Sequence, residues 1–115
     1  MLPKLVRDGV PALIVKDGKI PICEFVDDYD VEPYIFNKIK EEVAELQYEC
    51  GMAEQDREKI LEEFADIYEV LNKLAKVYNI EPEDIAEAQF KKHKKSGAFN
   101  SNIILTDIIL GGKGE

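Results

Sequence analysis

A chain of 115 residues has the length of one domain, and 45% hydrophobic with 34% charged residues excludes a disordered tail in favour of a globular fold. Fifteen basic against 24 acidic residues leave a net charge of −9, which argues against a protein that wraps nucleic acid electrostatically. Two distant cysteines, Cys23 and Cys50, with His93 the sole histidine, argue against a zinc cluster or a disulfide scaffold and suit a reducing cytosol. The opening MLPKLVRDGV is charged where a signal peptide needs an apolar run, and no stretch approaches membrane-spanning length. A cytoplasmic protein with no membrane association is expected.

Residues 1–30 are punctuated by Pro3, Gly9, Pro11, Gly18 and Pro21. The apolar run at 10–15 reads as one or two helical turns with Pro11 near the start, and the β-branched run at 20–26 reads as a short strand. Asp30 is the expected N-cap of a long helix, with Pro33 in its first turn and an end near Cys50, before Gly51. Along it Ile35, Ile39, Val43, Leu46 and Cys50 recur every three or four residues as one apolar stripe. A short connection leads to a second long helix at about 55–78, where Ile60, Phe64, Ile67, Leu71, Leu74 and Tyr78 form the matching stripe. Pro82, Glu83 and Asp84 start a third helix that ends in KKHKKSG, with Gly97 as its C-cap. The tail at 102–110 has strand character, and residues 111–115 read as frayed.

These elements predict an all-α domain spanning 1–115, an antiparallel helical hairpin plus a third helix with short extended segments at both ends. Val70 and Val77 widen the apolar face of the second long helix. That face is expected to be covered by another copy of the chain, completing a four-helix bundle.

The charge is uneven. Residues 31–70 hold 12 acids and 4 bases, whereas residues 71–115 hold 6 and 7. Each long helix carries carboxylates at i, i+3 spacing, one turn apart on one face. At about 100° per residue, Glu42 falls roughly 60° and Glu45 about 120° from the first stripe's centre, while Glu41, at about 160°, faces water. On the second helix Glu63 falls about 70° and Asp66 about 130° away, with Glu62 and Glu69 nearly opposite. Glu42, Glu45, Glu63 and Asp66 are therefore the four acids on the borders of the apolar faces, with Lys38 the main base beside them. Unpaired carboxylates there are costly. A hard divalent cation, Mg²⁺ with Mn²⁺ as an alternative, relieves that cost, and the bland alternative is a solvated, salt-bridged helix surface. Four carboxylates and one divalent ion leave about −2, so a polyphosphate ligand would need further Mg²⁺ or cationic side chains. The lysines at 91, 92, 94 and 95 can supply the latter, or can simply complement the helix dipole.

EEVAE at 41–45, followed after 17 residues by EFAD at 63–66, resembles the EExxE…ExxD signature of the MazG-like, all-α nucleoside triphosphate pyrophosphatase superfamily. KLVRDGVPALI near the start is similar to the KLVRDKIPE opening of its phosphoribosyl-ATP pyrophosphohydrolase-like branch, and KKHKKSGAF to that branch's lysine-rich ending. The resemblance is close to full length. It implies a bundle assembled as a homodimer or a dimer of dimers, and hydrolysis of a nucleoside triphosphate between its α- and β-phosphates to a monophosphate and pyrophosphate, a nucleotide-pool house-cleaning reaction. It implies Glu42, Glu45, Glu63 and Asp66 as metal ligands and Lys92 and Lys95 as phosphate contacts. Arg7 and Asp8 match the opening motif. Arg7 and Lys38 join the expected substrate contacts, and the base is one of Glu42, Glu45 or Glu63. Gly9 stands where the opening motif often has lysine, and Lys95-Ser96-Gly97-Ala98 lacks the arginine and second glycine of the usual ending. Phosphoribosyl-ATP hydrolysis and a non-catalytic helical interaction module are the alternatives.

Overall fold

The structure, a computed structural model, describes residues 2–112. Four helices follow one another: α1 (Val10–Lys16), α2 (Glu32–Cys50), α3 (Arg57–Val77) and α4 (Pro82–Ser96). No strand occurs among the described residues. The strand expectations at 20–26 and 102–110 are thus corrected: a β-rich run becomes a strand only where a second backbone completes its hydrogen bonds, and neither run meets one. Of the segment expected to fray, residues 113–115 lie outside the described residues. No described helix is long and apolar enough to cross a membrane.

The chain falls into two compact units, residues 1–82 and 83–115. In the first, α2 packs against α3. The entry to α2 is a turn in which the Asp27 side chain accepts from the Asp30 amide at 3.0 Å, so the N-cap is Val31, which has no side-chain cap. Asp30 was expected in that role, and its amide is instead engaged by Asp27. Pro33 occupies the first turn. At the other end Gln55 Nε2 donates to the Cys50 carbonyl at 2.8 Å. Asp56 starts α3 by accepting from the Glu58 and Lys59 amides at 3.0 and 3.3 Å, which satisfies two orphan donors of the first turn. Asn79, at φ 57, turns the chain out of α3, and Tyr78 beside it donates a hydrogen bond to Glu32 at the start of α2.

Burial fixes which faces meet. Val31 and Ile35 are the buried apolar side chains, the latter 0% exposed. With them, Lys38, Glu42, Leu46 and Glu49 form the sheltered line of α2, and Ile60, Glu63, Ile67, Val70, Leu74 and Val77 that of α3. Both lines are turned by roughly 60° from the apolar stripes toward the acids. Val43 and Phe64, central to the expected stripes, each remain 46% exposed. Val70 and Val77, expected as an uncovered flank, are half-buried within the single chain, and the exposed large apolar side chains of α2 and α3 are Phe36, Val43, Tyr48, Leu61, Phe64, Tyr68 and Leu71. By helical phase all of these but Tyr48 fall on one flank of the seam, opposite Glu45 and Asp66.

Helix α4 starts at Pro82, the last residue of the first unit, and otherwise lies in the second, with Glu83 and Asp84 in its first turn and His93, Lys94 and Lys95 in its last. Acids at the positive end and cations at the negative end complement the helix dipole. Gly97, at φ +81, follows, and its amide donates to the His93 carbonyl at 2.9 Å.

Candidate metal centre

The i, i+3 acids of α2 and α3 meet across the seam. Glu42, Glu45 and Glu63 each place a carboxylate oxygen within 4.8 Å of the other two. Glu42 is 4% exposed, and its Oε2 and the Oε2 of Glu63 are buried with no hydrogen-bond partner. Orphaned buried carboxylate oxygens are costly. Burial, the adjacent Glu45 charge and the nearby Glu42 push the Glu63 carboxyl up to about 7. Glu42 is also raised, by burial first, then by contact with Asp66 and the charges of Glu45 and Asp66, against an opposing pull from Lys38. These acids lean toward neutrality because burial and their mutual repulsion outweigh the one nearby cation, Lys38.

Of the four expected ligands, the structure brings three into one cluster. Asp66 is half-buried beside it, but its Oδ1 accepts from Arg7 Nη2 at 2.6 Å, while Arg7 Nη1 donates to Glu69 Oε1 at 3.2 Å. Arg7, expected as a substrate contact, is thus held by two acids of α3. Contact with Asp66, then with Glu69, raises its already high pKa against the loss of hydration. Asp8 lies exposed in the turn before α1.

Lys38, another expected substrate contact, donates to Glu41 Oε1 at 2.7 Å and lies 3.5 Å from Glu42 Oε1. Burial works against its charge, but Glu41 and Glu42 outweigh that and raise its pKa. Glu41 was expected to face water. It is instead half-buried, with Lys4 Nζ 3.7 Å from its Oε2, and the Lys38 hydrogen bond holds its pKa below the usual carboxylate value. The i, i+3 spacing of Lys38 and Glu41 carries that signal locally. Lys4 and Glu69 were also missed, and no local pattern announces either. Lys92 and Lys95 are exposed on α4, in the unit 83–115; the Lys92 carbonyl accepts from Ser96 Oγ at 3.2 Å.

Three clustered carboxylates offer hard oxygen donors at one point, two of them with an oxygen that has no partner. That donor set fits a small divalent cation, for which carboxylates and water are the ordinary ligands. Softer ions prefer the thiolate or imidazole ligands that this cluster lacks. No family model, curated protein or solved structure matches the chain.

Proposed function

We propose that the chain is a Mg²⁺-dependent nucleotide pyrophosphohydrolase, cleaving a nucleoside triphosphate between its α- and β-phosphates into a monophosphate and pyrophosphate. The observation that carries this reading is the meeting of Glu42, Glu45 and Glu63 around two buried, unpartnered carboxylate oxygens. The resemblance of EEVAE and EFAD to the MazG-like signature supports it, because three of that signature's acids, Glu42, Glu45 and Glu63, lie in the cluster. Glu42, Glu45 and Glu63 would hold Mg²⁺, with Asp66 beside them. When bound, Mg²⁺ supplies charge neutralisation for the polyphosphate and a more acidic water. Within the chain, the buried Glu42, the half-buried Glu63 and the exposed Glu45 fix the position of the reaction, and one of the three accepts the water's proton. Arg7 and Lys4 add positive charge on the acid-bearing flank, where an anionic substrate has to approach.

The reading extends to assembly. In a bundle of four helices, each apolar stripe points at the bundle axis, about 45° away from the direction of either neighbour. The rotation of roughly 60° between stripe and seam in α2 and α3 is close to that geometry. We infer an antiparallel α2–α3 hairpin whose outward apolar flank is covered by the same flank of a second copy, giving a homodimeric four-helix bundle, with a dimer of dimers as the higher form.

The test is a panel of nucleoside triphosphates, including deoxy and modified bases and phosphoribosyl-ATP, assayed for pyrophosphate release with Mg²⁺, with Mn²⁺ and with chelator. Metal-dependent release of pyrophosphate together with a monophosphate is expected. Orthophosphate as the first product, or no turnover across the panel, overturns the proposal.

A further inference from the structure

Asp66 touches two groups of opposite character. It stands half-buried one turn beyond Glu63 on α3, beside the acid cluster, and its Oδ1 is 2.6 Å from the Arg7 guanidinium. Arg7 belongs to the segment preceding α1. Among the described residues, that segment is tied to α2 and α3 by the ion pairs of Lys4 with Glu41 and of Arg7 with Asp66 and Glu69. The Arg7 pairs are largely open to solvent, so the hold is weak by the standard of surface ion pairs. Independently, Glu42 is nine-tenths buried with an oxygen that has no hydrogen-bond partner, and it belongs to the acid cluster, which marks a place for a cation that the chain itself does not fill.

We propose that Arg7 is a displaceable counter-cation: it occupies Asp66 in the cation-free protein, and a divalent ion entering the Glu42–Glu45–Glu63 cluster competes with it, releasing the guanidinium to meet the substrate's phosphates. This inference rests on the metal reading above. A guanidinium suits the exchange because its planar fork fits carboxylate and phosphate equally well and never loses its charge. Ion and guanidinium repel one another at Asp66, so each weakens the other's hold by the same factor. A polyphosphate that binds both reverses that relation. Removing Arg7 should therefore move two affinities in opposite directions, whereas a side chain that merely braces the fold would move both the same way.

The experiment titrates the full chain with Mn²⁺ alone by electron paramagnetic resonance. It then titrates the chain with inorganic tripolyphosphate at saturating Mg²⁺ by calorimetry. Arg7→Gln is expected to bind Mn²⁺ roughly fivefold more tightly, at the low end of ordinary linkage between sites, and tripolyphosphate about tenfold more weakly, a typical loss for one charge-assisted contact. Arg7→Lys should restore the Mn²⁺ affinity toward that of the unaltered protein. Glu69→Gln, which loosens Arg7 while leaving Asp66 in place, should shift Mn²⁺ affinity in the same direction by less, and it serves if Arg7→Gln loses its helical circular dichroism. Unchanged or weaker Mn²⁺ binding in Arg7→Gln overturns the inference alone, as does unchanged tripolyphosphate binding. Failure of the unaltered protein to bind Mn²⁺ overturns the metal reading, and the inference with it.

Discussion

Replacing Glu63 by glutamine isolates the electrostatic strain in the seam. In the cation-free protein the Glu63 carboxyl holds its proton up to about 7, against an ordinary 4.5. Between those values the folded chain keeps a proton that the unfolded chain has lost, so stability falls as pH rises through this window and is flat above it. Each tenfold difference in proton affinity is worth about 1.4 kcal/mol, which sets a ceiling of roughly 3 kcal/mol on the loss. Glu63 is only half-buried, and solvent screening brings the expected figure to about 1–2 kcal/mol. Glutamine keeps the shape and removes the charge. Urea unfolding in chelator should therefore show Glu63→Gln more stable than the unaltered protein at pH 8 by about that amount, with the two converging near pH 5. Glu41, whose pKa is lowered, contributes below this window and leaves the comparison undisturbed. Parallel pH profiles for the two proteins, or a variant less stable at pH 8, would refute the reasoning.

Glu42→Gln should reduce hydrolysis by at least a hundredfold in the pyrophosphate-release assay, while Glu62→Gln, on an exposed part of α3, should stay within a few-fold of the unaltered protein. Phe64→Glu places a charge on the uncovered apolar flank and should convert the assembly to monomer in sedimentation velocity; an unchanged mass would exclude that flank as the interface. Asp56→Ala removes the cap of α3 and should cost about 1 kcal/mol, lowering the thermal midpoint by several degrees in calorimetry.

What the sequence disclosed was whatever depends on neighbours along one helix. The breaks at Gly51, Pro82 and Gly97 fall within one residue of the end of α2 and of both ends of α4, because capping and proline chemistry are local. The acid pairs were legible for the same reason, as i, i+3 spacing is a property of the helix itself. The direction each helix faces was not. A stripe marks the mean direction of burial, and which edge of it meets a given neighbour depends on how many helices surround it, so Glu42 reads as peripheral in the sequence and is the most buried acid in the fold. Arg7 and Asp66 are separated by 59 positions, and a pairing at that distance leaves no periodic trace. Val31 stands at the N-cap in place of Asp30 because the turn closed by Asp27 onto the Asp30 amide ends one residue later than the side-chain pattern suggests.

Among the described residues, Val31 and Ile35 are the buried apolar side chains. Ordering each residue of a chain costs on the order of 1–2 kcal/mol in backbone entropy, and two fully sheltered side chains return only a few kcal/mol. On the assembly proposed above, the missing shelter comes from a second copy, so folding and association become a single event. Refolding should then be second order, its rate rising with chain concentration, and the denaturation midpoint should climb as the protein is concentrated. For such a chain the amount of protein present is itself a determinant of whether the acid cluster exists at all.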